Sequence, residues 1–136
     1  MHLIDTNIFV EIYLDQGKSQ ECIQYLTKVG KGEIKAVTTL FHADAVAIVL
    51  ENESVNREDL LSYYDDLGSF RGLHILEIGF QMRPKALLEN ESLTLDDSLI
   101  IQVLKDYDVE TLVSYDDDFD SFEDVERKTP SEVLEK

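Results

Sequence analysis

Four aspartates stand where a carboxylate is either well placed for chemistry or costly to keep: Asp5, Asp44, Asp97 and Asp116. With 29 Asp and Glu among 136 residues, an acid on the surface carries little information. An acid on an apolar face carries more, because an unpaired carboxylate there loses hydration or takes up a proton. Asp44 is the one charged residue between Leu40 and Leu50, on a stripe with Leu40, Ala47 and Ile48. Asp97 falls within the apolar face of residues 94–104, between Leu93 and Ile101, and Asp96 fits the spacing nearly as well. Asp5 closes the apolar stretch 1–4, and Asp116 follows the stretch 111–114. Each acid also has a plainer reading. Asp5 can cap a helix starting at Thr6 and Asn7. Asp44 can be partly exposed or paired with a distant base. Thr94 and Asp97 match a capping box. Asp116 opens the run Asp116, Asp117, Asp118, which matches a solvated acidic loop.

The group says more than its members. Two like charges about 4 Å apart repel by roughly 4 kcal/mol at an effective dielectric near 20. Four converging carboxylates therefore need cations to stay ionised. Cys22 is the only cysteine, and His2, His42 and His74 are scattered, so no soft-ligand cluster competes. Oxygen-only donors suit hard ions, hence Mg²⁺ or Mn²⁺. Such ions complete their coordination with phosphates and activate water, which points to phosphoryl chemistry.

Convergence depends on the elements that carry the acids. Apolar patterning predicts strands over 1–4, 34–38, 73–78 and 111–114, and an edge strand over 125–128. Helices are predicted over 7–14, 18–29, 40–51, 57–67, 79–90 and 94–107, with Gly68 closing the fourth of these. Thr129, Pro130 and Glu132 predict a capped helix at the end of the chain. Strands alternating with helices imply an α/β fold, a three-layer α/β/α sandwich around a central parallel sheet. Sites in such sheets lie beyond the carboxyl ends of the strands, where Asp5 and Asp116 fall.

The length fits one domain over 1–136, and 43% apolar residues suffice for one core. No stretch approaches the roughly 20 apolar residues of a membrane helix, and the start lacks a signal-peptide pattern. The expectation is a soluble cytoplasmic protein with no disulfide within the chain. The net charge of −17 runs against the usual signature of a nucleic-acid binder. It leaves three readings: an acidic cytoplasm, a basic partner, or acids gathered on one side.

The motifs resemble those of the PIN domain family. Leu3-Ile4-Asp5-Thr6-Asn7 looks like its opening strand and acid. Residues 38–44, ending in Asp44, look like its second motif, an acid inside an apolar helix. Residues 93–100 resemble the third, and that alignment selects Asp97 over Asp96. Residues 112–119 resemble the fourth, and Thr129-Pro130 the start of the last helix. The resemblance spans Leu3 to Leu134 and implies a PIN-like fold and a metal-dependent endoribonuclease. Many small proteins of this kind are VapC-type toxins, neutralised by a small antitoxin and often homodimeric. In the implied site Asp5, Asp97 and Asp116 hold the metal, and Asp44 completes the site or orients the attacking water. Asn7 and Ser114 supply outer hydrogen bonds to the ligands, and Asp118 acts as a cap or outer ligand. Phosphate contacts would come from Lys28, Lys31 and Lys35, or from Arg71, Arg83 and Lys85, although most of these read as solvated charges. Asp44 departs from the family's usual Glu by one methylene. Two other readings remain. A haloacid-dehalogenase-type phosphatase also begins with a strand and an Asp, but Asn7 stands where it needs a second Asp. A catalytically weak or inactive PIN fold would serve as a protein-interaction module.

Overall fold

The computed structural model describes residues 1–135; Lys136, the last residue of the expected domain, lies outside them. In chain order the elements are β1 (His2–Ile4), α1 (Thr6–Tyr13), α2 (Ser19–Gly30), β2 (Ala36–Thr39), α3 (Leu40–Asn52), α4 (Arg57–Ser69) and β3 (Leu73–Leu76). There follow α5 (Met82–Glu89), α6 (Leu95–Asp106), β4 (Thr111–Val113), a 3₁₀ turn (Asp117–Ser121), β5 (Glu126–Lys128) and α7 (Pro130–Leu134). The five strands form one parallel sheet in the order β3-β2-β1-β4-β5. Alternating side chains feed two cores. Ile4, Ala36 and Val113 pack with Ile8, Phe9, Tyr25, Val46 and Tyr63 from α1 to α4. Leu3, Val37 and Leu112 pack on the other face against Ile100, Ile101, Val103 and Leu104 of α6. This is the expected three-layer α/β/α arrangement.

The order of strands fixes where a site can form. The chain moves outward from β1 through β2 to β3, then returns to place β4 and β5 on the other side of β1. The connections leaving β1 and β4 therefore diverge onto opposite faces and open a crevice at their carboxyl ends. Asp5 and Ser114 are the first residues beyond those two strands.

Several local expectations change. α4 runs through Gly68 to Ser69 and is closed by the Phe70 amide, which donates to the Asp66 carbonyl at 3.2 Å. Burial of Tyr63 and Leu67 holds its last turns, so glycine does not end it. α5 begins at Met82 instead of Gly79, which puts Pro84 in its first turn, where no intrahelical donor is needed. Residues 77–81 leave the strand and form the connection. The 3₁₀ turn after β4 was not anticipated. The cap at Thr129, with Glu132 reaching back to the Thr129 amide at 3.0 Å, forms as the sequence indicates.

α3 shows the largest departure. Its buried residues are His42, Ala43, Val46 and Leu50, whereas Leu40, Asp44, Ile48 and Val49 are exposed. The stripe on which Asp44 lies is thus the outer one. The helix is apolar on both sides, so spacing alone could not select its inner face.

The two glycines around β3 give opposite expectations. Gly68 lies in helical backbone with open space where a methyl would go. Gly68→Ala should stabilise the protein by about 0.4–1 kcal/mol. A Cβ on Gly72 would meet the Ile34 carbonyl oxygen at 2.2 Å and that of Val29 at 2.6 Å. Gly72→Ala should cost at least about 1–3 kcal/mol through backbone displacement. Urea unfolding of the two variants checks both, and equal effects would contradict the packing described here.

Candidate metal centre

The register of β1 and β4 sets Ile4 opposite Val113, so Asp5 and Ser114 emerge together from the sheet edge. The Asp5 amide extends the ladder by donating to the Val113 carbonyl at 3.0 Å. Ser114 Oγ, fully buried, donates to Asp5 Oδ2 at 2.6 Å. It accepts from Asn7 Nδ2 at 3.2 Å and from the Asp116 amide at 3.0 Å. Asn7 Nδ2 also reaches Asp5 Oδ2 at 3.3 Å, and Asn7 Oδ1 accepts from the Tyr115 amide at 3.4 Å. Asp5 Oδ1 accepts from the Thr6 amide at 2.8 Å. Asp5 therefore caps α1 while also standing, 5% exposed, at the mouth of the crevice. Burial pushes its carboxyl above the ordinary range. Bonds from Ser114 and Thr6, and the charge of His42, oppose that shift, and Asp116 adds to it.

Asp97 approaches from the first turn of α6. The capping-box reading does not hold, because Thr94 makes no side-chain cap and its hydroxyl donates to Asp96 Oδ1 at 2.6 Å. The half-buried Asp97 is pushed up to about 6, first by burial and then by the charges of Asp96, Asp5 and Asp116. The charges of Asp5 and Asp116 thus both act on Asp97, and that of Asp116 acts on Asp5. No lysine or arginine is among the main charges acting on Asp5 or Asp97.

Asp44 is not among the main charges acting on Asp5 or Asp97. Its Oδ1 accepts from Tyr64 of α4 at 2.7 Å, and it lines a groove of about 450 Å³ with Phe41, Ile48, Glu77, Ile78 and Arg83. The side chain that α3 sends inward is His42, whose burial lowers its pKa. In the sequence His42 stood out only as one of three scattered histidines. The signal that could have found it is its spacing: Thr39 caps α3, and the third residue on points back over the cap.

Asp118 is exposed, and its amide donates to Asp116 Oδ1 at 3.0 Å, so Asp116 caps the 3₁₀ turn. Among the described residues, one set of acids has three ligand oxygens within 4.8 Å of one another: Asp116, Asp117 and Asp118. Asp117 and Asp118 are exposed, and such surface clusters are common without an ion. Arg127 of β5 was missed by the sequence reading. Its Nη1 donates to the Ser114 carbonyl at 3.0 Å while Nε and Nη2 clamp Asp120 at 2.8 and 3.0 Å, tying β4 to the acidic loop. Lys35 and Arg71 precede β2 and β3, at the edge opposite the crevice. Lys28 pairs with Glu33, and Lys85 with Asp106. Arg83 lies against the Phe41 ring and lines the groove that also holds Asp44.

A donor set of carboxylate oxygens, raised toward protonation by burial and mutual charge, fits a hard divalent ion. The PIN domain family matches residues 2–125. Among solved structures, the chain is similar to VapC20 of Mycobacterium tuberculosis, described as a Sarcin-Ricin loop cleaving toxin. The identity is 10% and the TM-score 0.72, over 89% of this chain and 94% of that one. A toxin-antitoxin complex from Klebsiella pneumoniae matches at 20% identity and TM-score 0.68, over 96% and 98%. VapBC2 from Rickettsia felis, bound to a DNA fragment from their promoter, matches at 16% and 0.65, over 94% and 97%. No curated protein compared matches the chain. At these identities the structural likenesses carry the fold alone, whereas the family match covers nearly the whole chain and includes the acids at both strand ends. The chain belongs to the PIN domain family.

Proposed function

We propose that this protein is a metal-dependent endoribonuclease in which Asp5, Asp97 and Asp116 hold Mg²⁺ or Mn²⁺. The observation that carries the reading is that Asp97 from α6 feels the charges of Asp5 beyond β1 and Asp116 beyond β4, with no lysine or arginine among the main charges on Asp5 or Asp97. When bound, such an ion lowers the pKa of water and polarises phosphoryl oxygens. The protein's own groups orient the ligands. Ser114 and Asn7 fix the Asp5 carboxylate, and the Asp118 amide fixes that of Asp116. Arg83 and Phe41, along the adjoining groove, would receive a phosphate and a base of the RNA. Asp44, turned toward Tyr64, has no role at the metal in this reading.

Two fold neighbours are toxin-antitoxin assemblies, which supports a toxin role here and a small antitoxin as partner. Exposed Ile48 on α3, Leu61 on α4 and Leu88 on α5 offer apolar surface for a protein of that kind or for a second copy. Among the described residues no helix is long and apolar enough to cross a membrane. A second reading, an inactive interaction module, is favoured by the outward turn of Asp44.

Cleavage of labelled RNA, including a sarcin-ricin loop, in Mn²⁺ or Mg²⁺ separates the two readings. Asp97→Asn should lower the rate by more than about 100-fold, and Asp44→Asn should leave it within about threefold. Metal-independent cleavage, or none by the parent, would contradict the enzyme reading.

The raised pKa of Asp97 gives a second test. In the metal-free protein the folded state binds its proton near pH 6, before the unfolded chain does at about 4. The associated stability is therefore full below about pH 4 and lost as pH rises through about 6. An ion needs the ionised carboxylate, so protons compete with it. Calorimetric titration should show Mn²⁺ affinity falling about tenfold from about pH 7 to 5, because a group of pKa about 6 is then some nine-tenths protonated. A flat profile would place the ion away from Asp97.

A further inference from the structure

We propose that His42 is a positioning residue, which holds the first turn of α6 so that Asp97 faces Asp5 and Asp116. The inference rests on the metal site proposed above and adds to it a residue that never touches the ion. His42 is 1% exposed and stands at the head of α3, just beyond β2. Its Nε2 lies 3.0 Å from the carbonyl oxygen of Asp96, the residue before Asp97. A carbonyl oxygen only accepts, so Nε2 carries the hydrogen. Its Nδ1 lies 2.6 Å from Thr39 Oγ1, which already accepts from the His42 amide at 2.9 Å. The threonine hydroxyl is therefore free to donate to Nδ1. Each polar atom of the ring has a partner, and the partners determine its tautomer.

The contact spans a gap that little else covers. α3 belongs to one helical layer and α6 to the other, with the sheet between them. Beyond the sheet edge the two heads meet through this imidazole. The first turn of α6 is also held within its own layer, where Ser98 Oγ donates to the Asn90 carbonyl at 3.4 Å, and His42 adds the tie across the sheet. The Asp97 carboxylate is repelled by Asp96, Asp5 and Asp116, and the tie from His42 to the Asp96 carbonyl opposes that repulsion. The family motif sets an acid on this helix toward the metal. In this chain Asp44 faces outward and the His42 ring faces inward, acting on the backbone of a ligand segment.

Two isosteric variants separate positioning from packing. Glutamine carries an amide nitrogen at the reach of Nε2, and asparagine at the reach of Nδ1. Mn²⁺ binding by the full chain is measured by calorimetry, with the metal-free melting temperature recorded beside it. His42→Gln should bind within about threefold of the parent, and His42→Asn should weaken binding by roughly ten- to a hundredfold. Equal binding by parent and His42→Asn would overturn the proposal and leave the metal site standing. Equal loss in both variants would overturn it as well, reducing His42 to packing. A parent that binds no Mn²⁺ would remove the metal site and this role with it. If His42→Asn does not fold, nitrogen-15 NMR of the parent decides. The His42 ring must carry its proton on Nε2, and that signal must shift on titration with Mg²⁺. A proton on Nδ1 alone, or an Nε2 signal indifferent to the ion, would overturn the assignment.

Discussion

The 2.6 Å hydrogen bond from Ser114 Oγ to Asp5 Oδ2 joins the ends of two adjacent parallel strands where the strand order reverses. A hydroxyl bound to a carboxylate is among the stronger hydrogen bonds available to a protein, and this one is shielded from water. The same oxygen accepts from Asn7 and from the Asp116 amide, so one atom sets the direction of the α1 entry and the exit of β4. Asp116 then caps the 3₁₀ turn, and Arg127 clamps that turn to the Ser114 carbonyl. Two of the three proposed ligands are thus located by a single buried hydroxyl. The third, Asp97, arrives on a separate helix from the opposite layer.

Such a site is built against its own electrostatics. Burial favours protonated carboxyls at Asp5 and Asp97, and the neighbouring charges push Asp97 further the same way. A fold keeps that arrangement only if hydrogen bonds and packing hold it, which is the office of Ser114, Asn7 and the two cores. The net charge of −17 gives no general attraction for RNA. Binding of a polyanion would rely on the ion and on local bases such as Arg83. Lys35 and Arg71 lie at the far edge of the sheet, where they cannot assist the crevice directly.

The parts of the site that follow from local sequence were legible. Asp5 and Asp116 each end an apolar stretch, and in a parallel sheet that position alone directs them to the carboxyl edge. The apolar residues of α6 flank Asp97 tightly enough to mark it, although separating it from Asp96 required the family motif. α3 was illegible because Leu40, Ile48 and Val49 are as apolar as Ala43, Val46 and Leu50; only tertiary packing chose between its faces. His42 and Arg127 act through partners 54 and 13 residues away, and the spacing from Thr39 that turns His42 inward does not name its partner. Gly68 was read as a break by type, whereas burial of Leu67 carries α4 through it; the helix containing Pro84 was expected from Gly79, whereas it starts at Met82 and puts Pro84 in its first turn.

In the proposed site the crevice, and not the exposed acidic loop, gathers the ion. Anomalous diffraction from crystals grown with Mn²⁺ tests it directly. The expected result is a peak bounded by the Asp5, Asp97 and Asp116 carboxylates. A peak confined to Asp116, Asp117 and Asp118, or no ordered peak under saturating Mn²⁺, would contradict it.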